Sequence, residues 1–545
     1  MNSRRRMVRT IICVASFSIW LVLVACTNFS KDSFSESNAK PNILIIMADD
    51  HAYQAISAYG SKLIQTPNID RLATEGMLFT DASVTNSICA PSRATILTGK
   101  FNHINGKIDN TMPFDTTQMT FPQLFQKNGY QTALFGKLHF GNNPKGVDEF
   151  MILPGQGQYI NPDFITSTGD TTIHGYVTDI ITDVTLNWFK TKRNPDKPFM
   201  MMYLHKAPHR PWWPSPEKFK EFTQKKFPEP ETLFDDYKNR GTAAKTAEMN
   251  ILYHMMYSHD SKIRPETLAG MGSVTPVVPE FENSFYSAYD RATAEQKALY
   301  DPTLDSINTY FKNNWAGMTD KEKMKWKYQR YMQDYLACIS SVDDNVGKVL
   351  DYLEESGLAK NTIVIYTSDQ GFFLGEHGWF DKRFMYNESF KTPLLIRWPG
   401  KIKAGTVENE LVQNLDFAQT FLEAAGIQAP SDMQGESLMP LLMGRKENWK
   451  RDALYYHYYE YPDEHMVNRH YGVVTKEFKL IHFYYDVDEW ELYDRVKDPN
   501  EMKNVYNENT YKETVVALKK KLEELRTKYK DSVELDRKFI DMYKR

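Results

Sequence analysis

Apolar and polar positions along this chain fall into blocks whose period changes from segment to segment. "PNILIIMADDH", from Pro41 to His51, is an unbroken apolar run that stops on two acids. A short run that is apolar at every position predicts a strand buried on both faces, here with charge at its carboxyl end. "MLFTDASV", "KPFMMMYLHKAPHRPW", "NTIVIYTSDQG" and "TPLLIRWPG" predict further strands, and "GYQTALFGKLHF", Gly129 to Phe140, predicts one that ends in Lys137 and His139. Between them the period lengthens. "HGYVTDIITDVTLNWFK" sets Val177, Ile180, Ile181, Val184 and Trp188 on one helical face. "TPNIDRLATEG" predicts a helix with Thr66 as N-cap, Pro67 in the first helical position and Gly76 closing it. "YMQDYLACISSVDDNVGKVLDYL" is also helical in pattern, which makes Cys338 a buried core thiol.

Strands alternating with helices predict an α/β fold, a mostly parallel sheet covered by helices on both faces. Polar residues recur just past the strand ends, the edge at which open α/β sheets build their sites. Residues from about 215 to 330 break the rhythm with "KFPEPETLFDDYKNRGTAAKTAEMN" and aromatic helical pieces, which predicts a helical insertion near the pocket. After Gly426 the pattern changes again. "ALYYHYYEY", "YGVVT", "FKLIHFYY" and "WELYD" predict antiparallel strands, and "TVVALKKKLEELRTKY" a terminal helix. The expected division is a catalytic domain over 41–426 and a smaller C-terminal α+β subdomain over 427–545 that closes the substrate pocket.

The first residues set the compartment. Arg4, Arg5, Arg6 and Arg9 precede the apolar "IICVASFSIWLVLVA", the pattern of a signal peptide over 1–25. "LVAC" resembles a bacterial lipobox, implying lipid on Cys26, a membrane anchor, and a periplasmic, outer-membrane or cell-surface location. The Ser-rich stretch over 26–40 is a flexible tether. The 545 residues suffice for a large core, and a net charge of −4 without a long basic block beyond the leader excludes nucleic acid as partner. Of four cysteines, Cys13 leaves with the leader and Cys26 carries lipid. Cys89 and Cys338, in unlike settings, make no disulfide scaffold. Cys89 is left free for other use.

The strand ends carry two kinds of side chain. Asp49, Asp50 and Asp369 are carboxylates and Gln370 adds an amide oxygen, a set suited to a hard cation, Ca²⁺ above Mg²⁺. Arg93, Lys137, His139, His209 and Lys382 are able to ring an anion. In "NSICAPSRATILTGK" the Pro91 that follows Cys89 suits a first helical turn, whose unpaired N–H groups favour a tetrahedral oxyanion. A cation and several basic groups around one nucleophile point to transfer or hydrolysis of a phosphate- or sulfate-like group, without separating the two.

"CAPSRATILTGK" matches the C-x-P-S-R signature of type I sulfatases, and "GYQTALFGKLHF" resembles their second signature, G-Y-x-T-x-x-x-G-K-x-H. The order of "NILIIMADDH", "APHRP", "SDQG" and "DKR" agrees, so the resemblance spans about Asn42 to Glu501. It implies an alkaline-phosphatase-like fold and a maturation enzyme that oxidises Cys89 to formylglycine. The hydrated aldehyde attacks sulfur, and the sulfated diol then collapses to release sulfate. Asp49, Asp50, Asp369 and Gln370 would hold one Ca²⁺ beside the group derived from Cys89. Arg93 would orient the diol. Lys137, His209 and Lys382 would neutralise the sulfate, His139 would take a proton in the collapse, and His209 or Lys382 would protonate the leaving oxygen. Gln370 stands where the family usually has Asn.

The segments around "SDQGFFLGEHGWFDKR" and "YYHYYEYPDEHMVNRHYGVVT" resemble bacterial glycosaminoglycan and mucin sulfatases, above all those acting on 6-O-sulfated N-acetylglucosamine. His205, Asp381, His457, Glu460, His465, Arg469 and His470 are candidates to touch the sugar. Aryl- or alkylsulfatase, uronate-2-sulfatase and phosphonate monoester hydrolase activities stay open, as does an unmatured glycan-binding lipoprotein.

Overall fold

A computed structural model describes residues 40–281 and 283–543. The expected signal peptide, the lipid site at Cys26 and the tether up to Ala39 lie outside the described residues. The run "NILIIMA" forms β1 (Asn42–Ala48), buried at every position. Its alternate side chains enter two different cores. Leu44, Ile46 and Ala48 join one, while Ile43, Ile45 and Met47 join the other. A period of two explains why a strand covered on both faces reads as continuously apolar.

Among the described residues the large sheet has ten strands. After β1 come β2 (Met77–Phe79), β3 (Gln131–Gly136), β4 (Glu149–Ile152), β5 (Asp163–Thr166), β6 (Gly169–Thr172), β7 (Phe199–Leu204), β8 (Thr362–Ser368), β9 (Leu394–Arg397) and β10 (Thr406–Glu408). They lie in the order β10-β2-β9-β8-β1-β7-β3-β4-β5-β6. The run β8-β1-β7-β3-β4 is parallel throughout. The edges are mixed, since β9 runs antiparallel to both β8 and β2. "MLFTDASV" divides into β2 and a two-residue piece at Ala82–Ser83.

Helices cover both faces. They include α1 (Pro67–Thr74), α2 (Cys89–Thr98), α3 (Val177–Thr191), α4 (Ala294–Asn314) and α5 (Asp320–Glu355). Ile69 and Leu72 of α1, the Val177–Ile181–Trp188 face of α3 and most of α5 share the core that receives Leu44 and Ile46. Ala90, Ala94 and Ile96 of α2 belong to the opposite layer. The region expected as an insertion holds short helices and α4, and α5 begins within it before running on across the sheet. Cys338 is fully buried in α5, its sulfur 3.8 Å from the Tyr176 hydroxyl.

The termini of α1 differ from the sequence expectation. Thr66 occupies the N-cap position, but its hydroxyl donates to the Asp70 side chain at 3.1 Å. The free amides of Asn68 and Ile69 donate instead to Asp343 of α5, at 3.1 and 2.8 Å. Glu75 is the C-cap. Gly76 is needed for close approach, since a Cβ there would lie 2.3 Å from the Ile396 carbonyl oxygen.

Past Gly426 a second sheet follows, antiparallel and in sequence order: β11 (Leu454–Tyr458), β12 (His470–Val474), β13 (Phe478–Phe483) and β14 (Glu489–Asp494). α6 (Lys512–Lys528) packs its Leu518, Leu522 and Leu525 on this sheet, and α7 (Val533–Met542) ends the described chain.

Gly136 couples β3 to the site. It has φ +110°, and a Cβ there would lie 1.8 Å from the Leu204 carbonyl oxygen of neighbouring β7. Gly136→Ala is expected to destabilise the protein by on the order of 3 kcal/mol, through backbone strain and displacement of β7. Chemical denaturation measures it; an unchanged midpoint would contradict the close approach.

Candidate active site

Four adjacent parallel strands, β8, β1, β7 and β3, bring their carboxyl ends to one edge. Each ends in polar residues. Asp49 and Asp50 follow β1, Lys137 follows β3, His205 to His209 follow β7, and Asp369 and Gln370 follow β8. Parallel pairing delivers from distant sequence what an antiparallel sheet would send to opposite edges. Cys89 arrives as the first residue of α2, its sulfur fully buried.

The charges interlock. Lys137 Nζ donates to Asp49 and to Gln156. Arg93 reaches Asp369 through Nε at 2.9 Å and Nη2 at 2.8 Å, lies 3.3 Å from Asp49, and donates to the Lys137 carbonyl. Lys382 Nζ donates to Asp50 at 2.7 Å, and Gln370 Nε2 donates to the same carboxylate while standing 3.6 Å from Cys89 Sγ. His209 Nε2 lies 3.7 Å from Asp50. Ligand atoms of Asp49, Asp50, Cys89 and His209 lie within 4.8 Å of one another. Asp369 is not in that group; its carboxylate accepts from Arg93 and from the Asp50 amide at 3.1 Å.

Backbone geometry aims these groups. Asp50 has φ +64° and His139 φ +65°, a region that side-chain-bearing residues enter at some cost. Tyr335 of α5 holds the strained Asp50 turn: its hydroxyl donates to the Asp50 carbonyl at 2.7 Å and accepts from the Ala52 amide at 2.9 Å. At the start of α2, the Ala90 amide donates to Asn110 Oδ1 at 3.1 Å, and the Asn110 amide donates to Glu460 at 3.0 Å. Neither Tyr335, Asn110 nor Gln156 belongs to a recognisable pattern, so sequence reasoning missed all three.

Burial decides the protonation states. At Asp49 burial opposes charge, but Lys137, His209 and Arg93 outweigh it and hold the carboxyl well below its usual range. Asp50 is pushed up to about 6 by burial, with Lys382 resisting and the charges of Asp49 and Asp381 assisting. Asp369 is pushed up to about 8 by burial and by Asp49, against Arg93. Burial, then the Asp49 charge, drives the Cys89 thiol well above the thiol range, so it is no thiolate nucleophile. Burial and Lys137 lower both His139, to about 2, and His209, so each imidazole is a neutral ring in the site as it stands. His209 Nδ1 lies 2.5 Å from the Arg210 carbonyl, which makes it the N–H donor and leaves Nε2 toward Asp50.

The donor set fits a hard divalent cation. Gln370 Oε1 is a buried oxygen without a hydrogen bond, and Asp49 Oδ1 has only the ion pair to Arg93 at 3.3 Å. Three carboxylates this close repel one another, and the extra arm of Gln370 still puts its amide beside Asp50 and Cys89. End-for-end rotation of that amide exchanges donor for oxygen.

The sugar-contact candidates divide. Asp381 accepts from His465 Nε2 at 3.1 Å and from the amide of Lys382 at 2.8 Å, which places this pair beside the pocket. Arg383, next to them, binds Asp381 at 2.5 Å and Glu464 at 2.7 Å. The other candidates face elsewhere. His205 packs edge-on against Tyr203, ring centroids 4.4 Å apart, with both nitrogens buried and unpartnered in the core. His457 is held by Asp531 at 2.8 Å and Tyr484 at 2.9 Å, and stacks on Tyr459. Arg469 grips both oxygens of Asp486 at 2.9 Å. His470 stacks between Tyr456 and Phe384. His457, Arg469 and His470 are engaged by neighbours within the C-terminal subdomain, and His205 is enclosed in the core beside Tyr203. Glu460 acts through Asn110 on the start of α2 rather than in the pocket.

The family model for sulfatases matches residues 41–427, and that for the N-sulphoglucosamine sulphohydrolase C-terminal region matches residues 375–528. An N-acetylglucosamine-6-O-sulfatase of Bacteroides thetaiotaomicron is 47% identical over 521 residues, covering 94% of this chain and 90% of that protein. The human N-acetylglucosamine-6-sulfatase is 26% identical over 444 residues, 76% of this chain and 67% of its own. A solved structure in complex with its substrate, D-glucosamine-2-N,6-O-disulfate, superposes with TM-score 0.85 at 48% identity, covering 91% of this chain and 99% of that one. The expected alkaline-phosphatase-like sulfatase fold is thereby established.

Glu460 offers a test by pH. Burial pushes its carboxyl up to about 8, with Arg383 opposing, while an unfolded glutamate titrates near about 4.3. The folded state holds the proton more tightly, so this group's contribution is full below about pH 4 and is lost as pH rises through about 8. Glu460→Gln keeps an acceptor for the Asn110 amide and removes the titration. The variant is expected to lose less stability than the parent between about pH 6 and pH 9, by up to about 3 kcal/mol. Denaturation at both pH values measures this, and parallel curves would refute the neutral buried carboxyl.

Proposed function

The chain belongs to the sulfatase family and is a sulfuric ester hydrolase acting on carbohydrate sulfate esters, and we propose that its substrate is a terminal 6-O-sulfated N-acetylglucosamine of a glycosaminoglycan or mucin glycan. The observation that carries this reading is the coincidence of two facts. Cys89, Lys137, His209 and Lys382 surround one buried carboxylate cluster, and the relative with 47% identity is named for 6-O-desulfation of that sugar.

In this reading a maturation enzyme oxidises Cys89 to formylglycine, whose hydrate supplies the attacking oxygen. Asp49, Asp50, Asp369 and Gln370 would hold Ca²⁺, which when bound draws charge from the sulfate oxygens and from the nucleophilic hydroxyl. Arg93, fixed by Asp369, orients the side chain at position 89 one helical turn away. Lys137, His209 and Lys382 counter the negative charge of the sulfate group as it develops. His139, kept neutral and lacking a partner at Nδ1, accepts the proton released when the diol collapses. The sugar oxygen would leave with a proton from Lys382, or from His209 once the negative charge of the sulfate has favoured protonation of its Nε2; these are the two basic groups nearest Asp50. Asp381 and His465 contact the sugar ring itself. Export as a lipoprotein, anchored through Cys26 in the periplasm or at the cell surface, would place the enzyme where such glycans are degraded.

Three measurements test this. Matured enzyme is expected to release the 6-O-sulfate of glucosamine 2-N,6-O-disulfate and of N-acetylglucosamine 6-sulfate, and to leave the N-sulfate in place; preference for an aryl sulfate, a uronate 2-sulfate or a phosphonate monoester would reject the substrate. Cys89→Ala should lower turnover by about a thousandfold or more with unchanged melting temperature, and mass spectrometry of the native Cys89 peptide should find the aldehyde or its hydrate. Exhaustive chelation should abolish activity and lower the melting temperature. Ca²⁺ at a hundredfold excess over its Kd should restore about 2.7 kcal/mol of stability. Full activity after chelation would exclude the cation.

A further inference from the structure

His465, from the C-terminal subdomain, meets the loop that carries Asp381 and Lys382, and both of its ring nitrogens are occupied. Nδ1 lies 2.9 Å from the Glu248 carbonyl oxygen, and Nε2 lies 3.1 Å from Asp381 Oδ2. A carbonyl oxygen only accepts. A carboxylate also only accepts while it is ionised. Burial opposes charge at Asp381, but Arg383 and Lys382, ahead of His465, hold its carboxyl well below the usual range. A neutral imidazole has a single N–H and satisfies one acceptor. Two acceptors at hydrogen-bond distance require the doubly protonated ring. His139 and His209, which burial and Lys137 keep neutral, are in the opposite state.

One segment of the helical insertion holds both partners. The Glu248 amide donates to the His465 carbonyl at 2.7 Å, so Glu248 grips ring and backbone together. The next residue, Met249, accepts from the Phe380 amide at 3.1 Å. Gly378 fixes the same loop, since a Cβ on it would lie 2.9 Å from the Leu233 carbonyl oxygen. The backbone is strained on both sides of the contact, with φ +67° at His465, +76° at Asp381 and +90° at Arg383. Asp381 Oδ1 accepts from the Lys382 amide at 2.8 Å and from Arg383 at 2.5 Å, and Lys382 Nζ donates to Asp50 at 2.7 Å. Asp381 and Lys382 thus link the His465 ring to the carboxylate cluster. The other charged groups around the ring have partners of their own. Glu464 Oε1 lies 3.7 Å from Nε2, while its carboxylate meets Arg383 at 2.7 Å and Arg210 at 3.4 Å. Arg210 is held by both oxygens of Asp260, and Asp463 accepts from the Glu464 amide. His254, lowered to about 4 by burial and by His465, is neutral.

We propose that His465 is a positioning residue that works as an imidazolium: it clamps Asp381, and through Asp381 keeps Lys382 and Arg383 set toward the pocket. Loss of its proton to solvent leaves Nδ1–H on the Glu248 carbonyl and turns the bare Nε2 lone pair on the Asp381 carboxylate. Attraction becomes repulsion, and the strained loop loses its clamp. Activity therefore carries an alkaline limit set from the C-terminal subdomain, separate from the titration of the groups around position 89. The inference rests on the sulfatase reading of the pocket and goes beyond contact of His465 with the sugar.

One test needs no turnover: NMR of Cys89→Ala protein labelled at the histidine ring nitrogens, at neutral pH, with the His465 signals identified by their loss in His465→Asn. Asn suits the left-handed backbone at this position. Both His465 nitrogens are expected to show the shifts of protonated nitrogen, and a bare nitrogen at either place overturns the proposal. The second test is kcat/KM on N-acetylglucosamine 6-sulfate for matured parent, His465→Asn and His465→Gln, from about pH 5 to about pH 9, the range in which imidazoliums titrate. Both replacements are neutral at every pH. The parent is expected to exceed each variant about tenfold at the acid end and to come within about twofold of them at the alkaline end, where its ring has lost the proton they never had. The ratio cancels the titrations that parent and variants share. A ratio constant across the range would mark a structural effect and also overturn the proposal. Failure of the underlying reading looks different: the parent would then hydrolyse no 6-sulfated sugar at any pH, and the NMR measurement alone would decide the state of His465.

Discussion

Like charge gathered in a dry place is the constraint on which this structure depends. Asp49, Asp50 and Asp369 are wholly buried within one cluster, and burial alone would strip at least two of them of their charge. Arg93, Lys137 and Lys382 offset part of that cost, each placed by a different element. The orphaned amide oxygen of Gln370 lies at the edge of this cluster. A divalent cation and an anionic substrate would each relieve part of this imbalance.

The sheet makes the cluster possible. Apolar runs such as β1 and β7 need cover on both faces, and parallel pairing with intervening helices provides it. The same pairing places four strand ends on one edge. α2 then inserts its first turn there, held by Asn110 at Ala90 and by Asp369 at Arg93. α5 contributes from the other side, through the Tyr335 hydroxyl that fixes the Asp50 turn. Rigid elements position every group, so little reorganisation is required when sulfate arrives.

The C-terminal sheet serves the site indirectly. Its histidines and Arg469 are spent on internal partners such as Asp531 and Asp486. Its reach toward the pocket runs through Glu460 to Asn110, and through the loop that brings His465 to Asp381.

By itself the sequence determined the fold class, the strand ends and the identity of the central groups. Continuous apolar runs ending in acids are hard to satisfy except by buried parallel strands, and the C-x-P-S-R and G-K-x-H stretches mark the chain as a sulfatase. Helix ends were less legible, since the cap of α1 comes from Asp343, 275 residues beyond Asn68. The sugar contacts were least legible. His205, His457, Arg469 and His470 share composition with Asp381 and His465, and only tertiary packing decides which ring meets another side chain and which meets the pocket. The same holds for Tyr335 and Gly378, ordinary in sequence, whose importance comes from what the fold sets against them.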